Sequence, residues 1–166
     1  MIRGRAWKFG DDISTDHIAP GRYYHLRSNL QEFLKHVFED ADPEFSKEIM
    51  KGKSFIVIGG RNYGKGSSRE HAARLIKLAG SPVVLAKSFS RIFYRNCFNI
   101  GMPALIVDTD RIGHLDELEV DLEGGKVRDL TKGIELEFEP IPEVMLKFMK
   151  EGGMVAYIKK HGDLVF

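Results

Sequence analysis

The sequence predicts an α/β fold with parallel strands at its centre and an antiparallel hairpin near its end. Three short apolar runs, "FIVIG" from Phe55, "VVLA" from Val83 and "ALIV" from Ala104, are continuous rather than alternating. Strands covered on both faces have this pattern. After residue 115 the pattern changes to alternation in "ELEVDLEGGKV" and "IELEFE", as expected of a hairpin with one face in water.

Taken in order, residues 29 to 50 suggest two helical pieces interrupted at Pro43, because proline removes a helical donor and clashes with the preceding turn. Between the first two apolar runs, Ala72, Leu75, Ile76 and Ala79 fall on one helical face, and Gly80 supplies a stop. Between the second and third, Phe89, Ile92, Phe93 and Cys97 share a face, with Ser88 as the expected N-cap. Asn96 interrupts that face and is expected to be a buried hydrogen-bonding residue. Strand, helix, strand, helix, strand makes two βαβ units. Gly124 and Gly125 mark the turn of the hairpin. "PEVMLKFMKEGG" then predicts a helix, with Pro142 near its first turn and Gly152 past its end.

At 166 residues, 43% hydrophobic and 30% charged, the chain can close one sizeable core, so a single domain spanning 1–166 is expected. Twenty-five basic residues against twenty-four acidic leave a formal charge of +1. No net field therefore favours nucleic acid or an anionic membrane. The amino terminus lacks the apolar core of a signal peptide, and no run of about eighteen apolar residues occurs, so a cytoplasmic protein is expected. Cys97 is the only cysteine. That excludes an internal disulfide and any cluster or zinc site made from this chain's own thiolates; a buried apolar role is expected for it. The six histidines show no spacing that would offer two imidazoles to one metal. A metal, if the chemistry needs one, comes from elsewhere.

The stretch "GKGSSREHAA" at 64 to 73 follows the first apolar strand and precedes a helix. It therefore lies at the carboxyl end of a parallel strand, where open α/β folds bind ligands. A phosphate-binding P-loop needs a hydroxyl directly after its lysine, and Gly66 stands there after Lys65. Two readings stay open from the residues alone. Ser67 could cap the helix, with Glu70 completing a capping box and Arg69 in solvent, or the loop could bind an anion through its amides and side chains.

Three separated blocks narrow the choice: "DDISTDHIAPG" at 11 to 21, "YGKGSSREHAA" at 63 to 73 and "KSFSRIFYRNCFNIGMP" at 87 to 103. Together they resemble the small subunits of isopropylmalate dehydratase and homoaconitase, equivalent to the swivelling domain of aconitase. The resemblance implies a three-layer β/β/α swivelling domain. It also implies a separate large subunit carrying a four-iron four-sulfur cluster, and a hydro-lyase that isomerises a 2-hydroxy acid by dehydration and rehydration. The expected reaction is 2-isopropylmalate to 3-isopropylmalate in leucine biosynthesis, with homoaconitate, or both acids, as the alternative.

By the same resemblance Ser67 is the base, acting as an alkoxide, Ser68 and Arg69 bind substrate carboxylate, and Asp16 is the active-site aspartate. His17 is expected to be structural. In "GRYYHLRSN", Arg27 falls, with a gap of about one residue, where related proteins place a substrate-binding arginine. The rival of another class is a non-catalytic anion-binding or regulatory module using the same loop.

Overall fold

The computed structural model describes residues 1–162, so the last four residues of the expected 1–166 unit lie outside the described residues. Seven strands form one sheet in the order β4-β3-β2-β1-β5-β6-β7. They are β1 (Ile2–Lys8), β2 (Ile56–Ile58), β3 (Val84–Ala86), β4 (Ala104–Ile106), β5 (Glu117–Asp121), β6 (Lys126–Asp129) and β7 (Ile134–Glu137). The helices are α1 (Thr15–Ile18), α2 (Leu30–Phe33), α3 (Pro43–Met50), α4 (Glu70–Leu78), α5 (Arg91–Asn99), α6 (Glu143–Lys150) and α7 (Met154–His161).

The three apolar runs are β2, β3 and β4, parallel and adjacent, with α4 and α5 as the intervening helices. Successive residues in them face opposite ways. Val57, Val84, Ala86 and Ala104 join Leu75, Ile76, Phe93 and Cys97 in a core under the helices. Ile56, Ile58, Leu85 and Leu105 face a second core shared with Leu118, Val120, Val127, Leu136 and Phe138. The sheet thus curls so that its antiparallel end covers the back of its parallel centre. Helices, parallel strands and antiparallel strands make the three layers.

β1 is the seam and was not legible as a strand. Its first residues pair antiparallel with β5, from Ile2↔Val120 to Arg5↔Glu117, while Ala6 to Lys8 pair parallel with Ile56 to Ile58. The expected hairpin is a three-stranded meander: β6 pairs with β5 and then with β7, the turns passing through Gly125 and Gly133 at positive φ. Pro43 opens α3, where its missing N–H costs nothing. α7 follows the expected helix after Gly152 and Gly153 and was not foreseen.

Three local expectations change. Ser90, not Ser88, caps α5, accepting from the Phe93 amide at 3.4 Å, while the Ser88 hydroxyl accepts from the Asn62 amide at 2.9 Å. Phe89 precedes the helix, and Ile92 points to solvent at 49% exposure. Asn96 is only half-buried. Starting α5 two residues later turns the interior face onto Phe93, Cys97 and Phe98. Likewise Ser67 does not cap α4. That helix starts at Glu70 with Arg69 at the cap position and no side-chain cap.

Candidate active site

The three sequence blocks lie side by side beyond the carboxyl ends of β1, β2 and β3. Backbone bonds continue the parallel pairing into the loops: Asp12 N–H to the Arg61 carbonyl at 2.8 Å, Gly64 N–H to Ile13 at 2.7 Å and Thr15 N–H to Lys65 at 2.8 Å. On the other side, Tyr63 N–H reaches the Ser88 carbonyl and Ser90 N–H the Tyr63 carbonyl, both at 3.0 Å. Block two is therefore clamped between blocks one and three. Gly64 is glycine for two reasons: its φ is +82°, and a Cβ there would enter the Phe93 ring.

The clamp decides what Ser67 does. Thr15 Oγ1 donates to the Ser67 carbonyl at 3.0 Å, and the Arg69 amide donates to the same oxygen at 2.8 Å. The chain turns there and helical geometry begins only at Glu70, so the Ser67 hydroxyl is left exposed, 3.5 Å from Thr15 Oγ1. Ser68 is exposed beside it.

Arg69 is not solvated as the capping-box reading expected. Its Nη1 donates to Asp16 Oδ1 at 2.9 Å and to the Ala19 carbonyl at 3.0 Å. Both recorded bonds use one nitrogen, which leaves the Nε and Nη2 edge for a bidentate grip on a carboxylate. Asp16 Oδ1 also accepts from the Gly21 amide at 2.8 Å. The Arg69 hydrogen bond, against an opposing effect of burial, holds the Asp16 carboxyl below its ordinary range, so it is ionised at neutral pH. At Gly21 a Cβ would sit 3.0 Å from that carboxylate and 3.4 Å from Arg69 Nη2. His17 serves the backbone: its Nδ1 accepts from the Ser14 amide at 2.9 Å, and its amide donates to Ser14 Oγ at 3.0 Å.

Gly21, Tyr24, Ser67, Ser68 and Arg69 line an open depression of about 480 Å³. Arg27 does not line it directly. Its guanidinium lies 4.3 Å from the centre of the Tyr24 ring, and its Nη1 donates to the Tyr24 carbonyl at 3.2 Å. Four of the five expected site residues, Asp16, Ser67, Ser68 and Arg69, thus come together, and Arg27 is joined to the depression only through its contacts with Tyr24. Neither Thr15 nor Tyr24 was singled out from the sequence, because only the fold brings them to the loop.

A larger groove of about 680 Å³ opens between α4, α5 and α7, with Leu78, Asn96, Ile100 and Val155 in its walls. Its charged groups are already paired, Arg74 with Glu70 at 2.9 Å and Lys77 with the Ile100 carbonyl at 2.5 Å. The smaller depression, where hydroxyls and a free guanidinium edge converge, is the better candidate for chemistry.

The model of the aconitase C-terminal domain matches residues 13–109, a stretch that takes in the second and third blocks, most of the first, and β2, β3 and β4. The chain belongs to that family. It is 63% identical, over 97% of its length and 96% of the relative, to a 3-isopropylmalate dehydratase small subunit of Archaeoglobus fulgidus. A methanogen homoaconitase small subunit of Methanothermobacter thermautotrophicus is 45% identical, over 98% of this chain and 94% of that one. Among solved structures, a 3-isopropylmalate dehydratase from Methanocaldococcus jannaschii superposes with a TM-score of 0.91 at 38% identity, covering 97% of this chain and 95% of that chain.

The donor set does not suit an iron–sulfur cluster. Cys97 is fully buried on the inner face of α5, and burial pushes its thiol far up, away from the thiolate that iron requires. No group of three or more His, Cys, Asp and Glu side chains among the described residues is placed to hold a metal ion. No helix among them is long and apolar enough to cross a membrane.

Proposed function

We infer that this chain is the small subunit of a cytoplasmic hydro-lyase that isomerises 2-isopropylmalate to 3-isopropylmalate by removing and re-adding water. The observation that carries the reading is the convergence of Ser67, Ser68 and the Asp16–Arg69 pair on one open depression. An active site needs a floor and a roof, and this depression is open to solvent. The large subunit closes it and brings the four-iron four-sulfur cluster, which supplies the Lewis acidity that helps hydroxide leave.

This chain's residues do the rest. Ser67 takes the C–H proton next to a substrate carboxylate and returns a proton in the hydration half-reaction. Serine is a weak base, so its alkoxide needs a positive surrounding, supplied by Arg69 and the start of α4. The free edge of Arg69 and the Ser68 hydroxyl orient the substrate carboxylate. Asp16 fixes the Arg69 guanidinium by occupying Nη1, which aims the other edge outward.

A second specificity is favoured by Arg27. A cation held over Tyr24 at the rim suits a substrate with a carboxylate where isopropylmalate has its isopropyl group, because a desolvated carboxylate needs a partner. Its apolar stem could equally lie along an isopropyl group. Activity on homoaconitate alongside isopropylmalate is therefore expected. The test is anaerobic reconstitution with a cluster-loaded large subunit, followed by parallel assays of isopropylmalate, homoaconitate and citrate. Turnover only in the reconstituted complex is the expected result. Ligand binding without turnover in any assembly would return the chain to the class of binding modules.

A further inference from the structure

His71, the second residue of α4, lies outside the catalytic assignments above. Its ring packs edge-on to Tyr24, with centroids 5.7 Å apart, and leans on Phe33 of α2 at 5.5 Å. One side chain thus spans the gap between the segment after block one and α2. Its Nε2 is buried and has no hydrogen-bond partner. Burial, reinforced by Arg69 and Arg27 and opposed by Glu70, pushes its pKa down. The ring is therefore neutral at neutral pH and does not repel the Arg27 guanidinium that also contacts Tyr24.

We propose that His71 is a positioning residue for substrate selection: wedged between Tyr24 and Phe33, it holds Tyr24, and through it the Arg27 guanidinium, at the rim of the depression. The inference rests on the reading that Arg27 meets the variable group of the substrate. The order of contacts is the argument. Tyr24 lines the depression, Arg27 touches Tyr24, and the helix that begins next to Ser68 and Arg69 touches Tyr24 through His71. α4 thereby sets the carboxylate grip and the rim that reads the rest of the molecule from one rigid element.

Two measurements test this. In the isolated full-length chain, nuclear Overhauser contacts between the Tyr24 ring and the Arg27 side chain should weaken in His71→Ala and persist in His71→Phe. The phenylalanine variant keeps the wedge and removes a buried unpaired nitrogen, so it should be at least as stable as the wild type. In the reconstituted enzyme, His71→Ala should raise KM for homoaconitate about tenfold with kcat within about threefold, and change KM for isopropylmalate less than about threefold. His71→Phe should restore the wild-type ratio of the two substrates. A Tyr24–Arg27 contact that survives His71→Ala overturns the wedge, and so do equal losses on both substrates. A contact that is lost while the ratio stays unchanged overturns instead the reading of Arg27 on which the proposal rests.

Discussion

At the carboxyl ends of β1, β2 and β3 the chain gathers Asp16, Ser67, Ser68 and Arg69 around one depression. β5, β6 and β7 instead lay their charges in rows across the sheet. Arg128 sits between Glu119 at 3.1 Å and Glu135 at 2.9 Å, and Lys126 lies 2.8 Å from Glu135. The contrast follows from topology. Parallel strands all end on the same side, so their loops meet and polar groups from distant sequence converge. Antiparallel strands send alternate loops to opposite ends, and their side chains find partners across the ladder. The candidate site collects in one half, and the other half covers its back.

The sharpest way to break this contrast is Ser67→Ala. Ser67 Oγ makes no bond closer than the 3.5 Å approach to Thr15, and the residue caps no helix. kcat of the reconstituted complex should fall at least about a thousandfold, while stability moves by less than about 1 kcal/mol. Near-normal turnover would remove the base from the parallel half. Next comes Arg69→Lys, which keeps the charge and loses the two-pronged edge. A drop of about a hundredfold in kcat/KM is expected, corresponding to ~2.7 kcal/mol; a loss under threefold would mean that charge alone suffices. Arg27→Val should be milder and selective. kcat/KM for homoaconitate should fall about tenfold relative to isopropylmalate, or ~1.4 kcal/mol, and equal effects on both acids would withdraw the second specificity.

The smallest effect belongs to the antiparallel half and should appear only in stability. Asp129 of β6 is buried, and burial together with the Asp116 carboxyl raises its pKa, while Asp116 is lowered by its hydrogen bond with Asp129. A raised carboxyl holds its proton more tightly when folded. Its stabilising contribution is therefore full below the unfolded value of 3.8 and is lost as pH rises through the folded pKa. Replacing it in Asp129→Asn keeps a hydrogen-bonding side chain and removes the titration. As pH rises from about 4 to about 7 the variant should gain stability relative to the wild type in chemical denaturation, with activity unchanged. A difference that stays flat with pH would show that the two carboxyls share no proton.

Much of the parallel centre was legible because Phe55, Val83 and Ala104 open runs without polar interruption, and burial on both faces leaves no other pattern. β1 escaped for the opposite reason. Arg3 and Arg5 face outward beside β5, whereas Ala6 and Trp7 are buried beside β2, so the strand changes its surroundings halfway and shows no single period. The serine loop was legible as a candidate site, but the sequence around it left a helix cap at Ser67 equally open. Its local capping signal is overridden by Thr15, fifty-two residues earlier, a partner that no window around Ser67 contains. Ser88 and Ser90 are equally good caps by residue type, and the claim of Asn62 on Ser88 decided between them. Tyr24 and His71 carried no signal, because the contact between their rings joins residues far apart in the sequence.

The split pairing of β1 also bears on how the chain is made. Made before the other six strands, residues 2–8 must wait for Ile56 to Ile58 before one end can pair, and for Glu117 to Val120 before the other can. The first of these seven strands to be made is among the last to be completed, held open across more than a hundred residues of unfinished chain. Contacts of such separation slow folding and lengthen the time for which unpaired edges stay exposed. Until β1 arrives, β2 and β5 are two open edges with the backbone of a single strand missing between them.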